Sequence, residues 1–436
     1  MDQTTKTPLA TPTETPITQT QKESTLNSVQ PEKKSYLVLG IALVVGGLAV
    51  GILGGWALTS FTSNQQITTT SANQSQESTL SGDPFVIGMI VPLTGDGASY
   101  GTNAKEIALM TEKELNNKDG IGGRPIKFIF EDGQCMGDNA KNSATKLINE
   151  DKVDLLYAGE CSDEVLAAAP IAQEKKIISI STGATNPKVS ELGKYVFRTA
   201  LSDEVGGRVA AKYALDKMNS KTAAIIVENT SYALGLRDVF NEEFTKLGGK
   251  VLYSTVFETG ETDFVTTAEA VAKANPDLVY IIPQTPIPGV LAIKAIREKQ
   301  PKVAFLTAEV LLARDEIEKH GKILEGLIGM EAYFDAESEG YKQLKDKFVK
   351  EYGRDVAYPT DLVEIHDFIY LYKAAYESVG SNDTDKISEY MYSLKDWKGT
   401  ASNLTFNKQG DIISKKYGIY KITNNTANLI ETYATQ

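Results

Sequence analysis

From residue 84 onward, short unbroken apolar runs alternate with longer amphipathic stretches, and this alternation constrains the fold more than any other feature of the chain. A strand covered on both faces reads as a continuous apolar run, whereas a half-solvated strand alternates apolar with polar positions. The runs FVIGMIV (85–91), IKFIF (126–130), VDLLYAG (153–159) and IISIS (177–181) are of the first kind, with helical candidates at 100–117, 138–150 and 162–174 between them. A second series follows in AAIIVE (223–228), KVLYSTVF (250–257), LVYII (278–282) and VAFLT (303–307), again separated by helical stretches. Two consecutive strand-and-helix series predict an α/β protein of two doubly wound, parallel-sheet lobes. In such sheets ligands lie outside the carboxyl ends of the strands, where loops run into helix N-termini. The stretches that follow the runs are PLTGDGASYG, ECSDE, TGATNP, NTSYALG, PQTPIPG and AEV. Several place Ser, Thr and Gly at a helix start, where hydroxyls and free backbone N–H groups suit a carboxylate, although each alone also suits an ordinary helix cap.

The residues upstream have a different character. Residues 1–34 are rich in Thr, Pro, Gln and Ser with few large apolar side chains, the composition of a disordered tail. Residues 35–61 contain no charge, and the stretch 36–59 would span about 36 Å as a helix, enough for a bilayer core. Lys33 and Lys34 abut its start and no Lys or Arg follows until Lys105, an asymmetry that places the N-terminus in the cytoplasm and the rest outside. The run is longer than the apolar region of a secretory signal peptide, the competing reading, so an uncleaved single-pass anchor is expected. Residues 62–83 read as a polar tether. The net charge of −12 argues against nucleic acid as a partner, since that requires clustered Lys and Arg.

The chain has two cysteines, Cys135 and Cys161. An extracytoplasmic location permits one disulfide, with two buried free thiols as the alternative. The cysteines and the only histidines, His320 and His366, lack the spacing of a metal site, so no metal or cofactor is expected. A hydrolase built on Ser162 would need a base; neither histidine lies near a cleft motif and no GxSxG elbow is present, so the chain reads as a non-enzyme.

Taken together, these stretches resemble the branched-chain amino acid binding proteins, the type I periplasmic solute-binding receptors of ATP-driven (ABC) importers. The resemblance runs through IGMIVPLTGDGASYGTNAKEIALMTEKELNNKDGIGGRPIKFIFEDGQC, GECSDEVLAAAPIAQEKKIISISTGAT, VFRTALSDEVGGRVAAKYALDK and FNKQGD, about residues 84 to 425. Together with the expected anchor, it implies a membrane-tethered extracytoplasmic receptor that traps an amino acid, or a related small amide or acid, between two hinged lobes and delivers it to an ABC permease. Lobe 1 would comprise 84–200 and 334–400 and lobe 2 would comprise 201–333 and 401–436, with crossings near 199–202, 330–334 and 399–402. A ligand-sensing ectodomain of the same fold is the alternative. It would need a partner to signal, because a 34-residue tail is too short for a domain.

The resemblance also assigns residues. Ser162, Gly183, Ala184 and Thr185 would hold the ligand's carboxylate through hydroxyls and backbone N–H groups. Tyr100 and Tyr232 would line the pocket, and Glu309 would pair with the ligand's ammonium. Gln284 stands where the family often has an aromatic that covers the ligand. Glu160 and Asp163 flank the Cys161-Ser162 pair and bring negative charge to the expected carboxylate site, so that either they point away or the ligand is more cationic or polar than leucine. Some members of the family close a disulfide between the two cysteine loops, which here would be Cys135 to Cys161, holding Ser162 at the cleft.

Overall fold

The computed structural model describes residues 80–434. The expected tail, membrane helix and nearly all of the tether lie outside the described residues; among those described, no helix is long and apolar enough to cross a membrane.

The first sheet is built from β1 (Phe85–Val91), β2 (Ile126–Asp132), β3 (Leu155–Tyr157), β4 (Ser179–Ser181) and β5 (Val196–Arg198), with α1 (Ala98–Asn116), α2 (Gly137–Asn149) and α3 (Ser162–Glu174) as crossovers. Its order is β2-β1-β3-β4-β5 and every pairing is parallel. The chain steps outward from β1 to β2, then returns to β3 on the other side of β1. The end of β1 is therefore a topological switch point, with a crevice between diverging loops.

The second lobe repeats the plan. After α4 (Asp203–Asp216) come β6 (Thr222–Glu228), α5 (Ser231–Lys246), β7 (Lys250–Phe257), α6 (Val265–Ala274), β8 (Leu278–Ile282), α7 (Pro286–Lys299), β9 (Ala304–Thr307), α8 (Arg314–Leu324) and β10 (Ile328–Tyr333). The chain then returns to the first lobe with α9 (Glu339–Tyr352), α10 (Pro359–Val379) and α11 (Thr384–Ser393), where Tyr372 packs on Phe85 with ring centroids 5.6 Å apart and Phe368 on Tyr157 at 5.4 Å. After the short hairpin β11 (Trp397–Lys398) and β12 (Asn403–Leu404), the chain ends with β13 (Lys416–Thr423) and β14 (Thr426–Ala434).

The second sheet runs β14-β13-β10-β9-β8-β6-β7, with its own switch point at β6. Contrary to the all-parallel expectation, β13 is antiparallel to both β10 and β14. For the β13–β14 pair the reason is local. Asn424 and Asn425 both take positive φ, at 54° and 59°, closing a two-residue hairpin between Thr423 and Thr426. Asparagine tolerates that region, and a two-residue loop can only join antiparallel neighbours.

Candidate functional site

The loop after β3 opens α3, and Glu164 organises it. One carboxyl oxygen accepts the backbone N–H groups of Glu160 and Cys161, both at 2.9 Å, and the other accepts that of Cys135 at 3.0 Å. Burial pushes this carboxyl up to about 7 even though the three N–H groups favour its charged form. Glu164 thus ties together the two loops that the Cys135–Cys161 disulfide also joins, Cα to Cα 5.1 Å. Gly159 precedes this knot at φ 152°, and a Cβ there would strike Glu164 Cβ at 2.4 Å.

Ser162, the first residue of α3, is 2% exposed, and its hydroxyl accepts the N–H of Asn186 at 3.2 Å. The loop after β4 lies alongside. Thr185 donates its hydroxyl to Asp203 at 2.7 Å, while Ala184 is fully buried with its N–H given to Ser181 Oγ at 3.1 Å. Arg198 braces this loop from below through the carbonyls of Thr185 (2.9 Å) and Asn186 (2.8 Å), and is held by Asp411 at 2.6 Å. The FNKQGD stretch therefore has a physical role: its Asp411 fixes the arginine that fixes the loop.

From the second lobe, the end of β6 supplies Glu228, which accepts the N–H groups of Gln284 and Thr285, each at 2.7 Å. That contact sets the turn after β8, and Tyr100 of the first lobe donates its hydroxyl to the Gln284 carbonyl at 3.0 Å. Tyr100 also packs on Tyr358, centroids 4.8 Å apart. Glu309 is the second residue past the end of β9, and Tyr232 lies in the first turn of α5.

These elements enclose a cavity of about 690 Å³ between the two sheets' carboxyl ends. Tyr100, Ser162, Gly183, Thr185, Tyr232, Gln284 and Glu309 line it; Ala184 does not. Asp163 points away, accepting the N–H of Ser231 at 3.0 Å and that residue's hydroxyl. Glu160 points in. Burial pushes its carboxyl well above the usual range, with the Asp361 carboxylate adding to the effect and the Tyr157 hydroxyl opposing it. Asp361 is raised to about 8 by burial and then by Glu364, and Glu331 to about 8 by burial and then by Glu309. Glu309 is itself raised by burial, against its own backbone N–H and the Tyr232 hydroxyl.

Sequence reasoning had flagged Glu160 only as a flanking charge and had missed Asp361, Glu331, Tyr358 and Glu364 on the cavity wall. Glu331 lies on β10, Tyr358 caps α10, and Asp361 and Glu364 lie on that helix, so none belongs to a loop that follows one of the apolar runs. A Tyr-Pro-Thr-Asp helix start at 358–361, with proline at its first position, was the available signal.

The family model described as "Periplasmic binding protein" matches residues 84–427. An "Amino acid binding protein" of Pseudomonas aeruginosa is 27% identical over 340 residues, covering 77% of this chain and 89% of that protein. "Leu/Ile/Val-binding protein homolog 1" of Brucella suis is 26% identical over 340 residues, covering 77% and 90%. Among solved structures, the leucine binding protein LivK of Thermotoga maritima superposes with a TM-score of 0.74 at 25% identity, covering 80% of this chain and 98% of that one. With both switch points converging on one cavity and the family match spanning the described lobes, the chain belongs to the periplasmic binding protein family, in the type I class of the Leu/Ile/Val-binding proteins.

Proposed function

We propose that this chain is an extracytoplasmic solute-binding receptor that captures an amino acid or a related small amide or acid between its lobes and passes it to an ABC permease. The observation that carries the reading is the cavity itself, with Ser162, Gly183 and Thr185 on the first-lobe wall and Glu309 and Tyr232 on the second. A ligand that touches both walls favours the closed arrangement of the lobes by its contacts to each, which is how a hinge closes around its ligand.

In this reading Ser162 and Gly183 receive the polar end of the ligand, and Glu309 accepts its ammonium. Thr185 acts through Asp203 rather than directly, since its hydroxyl is already donated there. The 35–61 segment anchors the chain in the membrane, which keeps the receptor within reach of its permease across the 62–83 tether. The names of the relatives support the amino acid class, and the uncharged 35–61 run supports the anchor.

The test is calorimetric titration of the purified chain with a panel of amino acids, amides and short acids. Glu309→Ala should weaken the binding of any amino acid found by roughly thirtyfold or more, because removing one partner of a desolvated ion pair costs about 2 kcal/mol or more. Unchanged affinity in that variant would remove Glu309 from the site and defeat the proposed mode of capture.

A further inference from the structure

Glu160 occupies the place where the first lobe is expected to hold a carboxylate. Its side chain is 7% exposed, takes the Tyr157 hydroxyl as a partner, and lies so close to Gly183 that a Cβ there would come within 2.8 Å of Oε1. Asp361, at the start of α10, lines the same wall, its carboxylate held at 3.2 Å by the Asn103 amide. Glu309 and Glu331 stand on the second-lobe wall. The cationic side chains Arg314 and Lys345 of the cavity wall are already paired with other carboxylates: Arg314 with Asp315 at 2.8 Å and Lys345 with Asp355 at 2.9 Å.

One more wall residue points to a bound molecule. Gln284, 8% exposed, carries a side-chain oxygen with no hydrogen-bond partner among the described residues. Buried polar atoms are almost always satisfied, so this oxygen is suited to a ligand's donor. A single metal ion does not fit the acids. Among the described residues, three candidate ligand atoms come within 4.8 Å of one another only at Cys135, Cys161 and Glu164, and those two sulfurs are bonded to each other. Carboxyls dispersed over two facing walls suit separate charges on one extended molecule.

We propose that the ligand carries two cationic nitrogens on a short aliphatic chain, one held by Glu309 and Glu331 in the second lobe and the other by Glu160 and Asp361 in the first. The proposal rests on the reading of this cavity as the ligand site. An apolar amino acid such as leucine brings one ammonium and leaves one acid pair desolvated without a counter-charge, which is unfavourable for the ionised form. A dication satisfies both pairs, and its nitrogens donate to the Gln284 oxygen as well. Basic amino acids and diamines share this chemistry; they differ in the carboxylate, which the Ser162 hydroxyl would receive.

The test is calorimetric titration of the full chain with L-lysine, L-arginine, 1,5-diaminopentane and L-leucine. At least one dication should bind tenfold or more tightly than leucine. In Glu160→Gln, and again in Asp361→Asn, the ratio of dication to leucine affinity should fall at least tenfold, with thermal unfolding confirming that each variant is folded. Lysine binding better than diaminopentane identifies the basic amino acid as the source, and the reverse order identifies the diamine; either order supports two cationic ends. Leucine binding more tightly than every dication overturns the inference while leaving the receptor reading intact, as does an unchanged ratio in both variants. If amino acids, amides and diamines all fail to bind, the reading of the cavity falls and the inference falls with it.

Discussion

Arg198 has no solvent exposure, and every nitrogen of its guanidinium is engaged: Asp411 at Nε, loop carbonyls at Nη1 and the Ser190 hydroxyl at Nη2. Removing its counter-ion would leave a buried cation without compensation, so Asp411→Ala is expected to destabilise the domain by about 3–5 kcal/mol, measured by urea unfolding. A loss under 1 kcal/mol would show that the ion pair is replaceable. A second expectation concerns pH. Glu164, Asp361 and Glu331 are raised by burial to about 7, about 8 and about 8, so each takes up a proton on folding at pH values between its unfolded and folded pKa. Their contribution is complete at the acid end and is lost as pH rises through the folded values. His366 acts in the same direction: burial works against its charge, but the Asp367 and Glu114 carboxylates beside it prevail and raise it. The unfolding midpoint of the ligand-free protein should therefore fall steadily from about pH 5 to pH 8, and Glu331→Gln should flatten part of that slope. A midpoint that climbs over this range would contradict the burial of these acids. Residues of this kind were the least legible in the sequence. Glu309 could be placed because it follows a recognisable strand, whereas Asp361 is raised chiefly by burial in a cavity whose other wall, Glu309 included, belongs to the second lobe and meets it only in the folded molecule.

The elements were far more legible. All eight apolar runs of the two series are strands; β1, β6 and β8 are buried along almost their whole length and so read as near-continuous apolar runs, while the edge strand β7, with Lys250, Ser254 and Val256 exposed, is marked by its β-branched and aromatic residues. The strands outside those runs are β5, with three residues, the short β11 and β12, the edge strand β14 with Leu429 and Ile430 exposed, and β10 and β13 inside the second sheet, whose apolar residues are interrupted by Glu331 and by Lys416 and Lys421. Among the helices, α3 is the one whose start matters most, since it presents Ser162 and its first turn is set by Glu164 and by the bond between Cys135 and Cys161. That bond closes a loop with a sequence separation of 26, so the chain-entropy relation gives it about 3.5 kcal/mol of stabilisation. A Cys135→Ser, Cys161→Ser double variant should lose stability of that order in denaturant, and hydrogen exchange should quicken at Cys135, Glu160 and Cys161, whose amides Glu164 holds. If exchange at those amides is unaltered, Glu164 alone suffices to order the start of α3.

At the scale of the whole molecule, the two lobes touch on both sides of the cavity. On one side Tyr100 reaches the Gln284 carbonyl; on the other, Asp163 receives the backbone N–H and hydroxyl of Ser231, while the Asn186 amide donates to the Ser231 carbonyl at 2.5 Å. Ser231 is the first residue of α5, so Asp163 places a carboxylate on the positive end of a helix in the opposite lobe. The passages between the lobes are anchored at a buried pair, Lys415 with Glu364, and Lys415 also donates to the Thr199 carbonyl at 2.9 Å. In the proposed hinge motion, this arrangement separates a pivot from a contact that forms when the lobes meet. Asp163 does not line the cavity, so Asp163→Ala should leave the ligand's own contacts in place while weakening closure. The affinity of a population of closed molecules scales with the fraction that can close, and a charge-assisted bond to backbone is worth roughly 1.5–3 kcal/mol. The variant should release ligand about tenfold faster or more, with little change in the association rate, and small-angle scattering should show a larger radius of gyration at subsaturating ligand. If release is unchanged and the scattering curves coincide with those of the parent, Asp163 is only a cap for α5, and closure is held by the ligand alone.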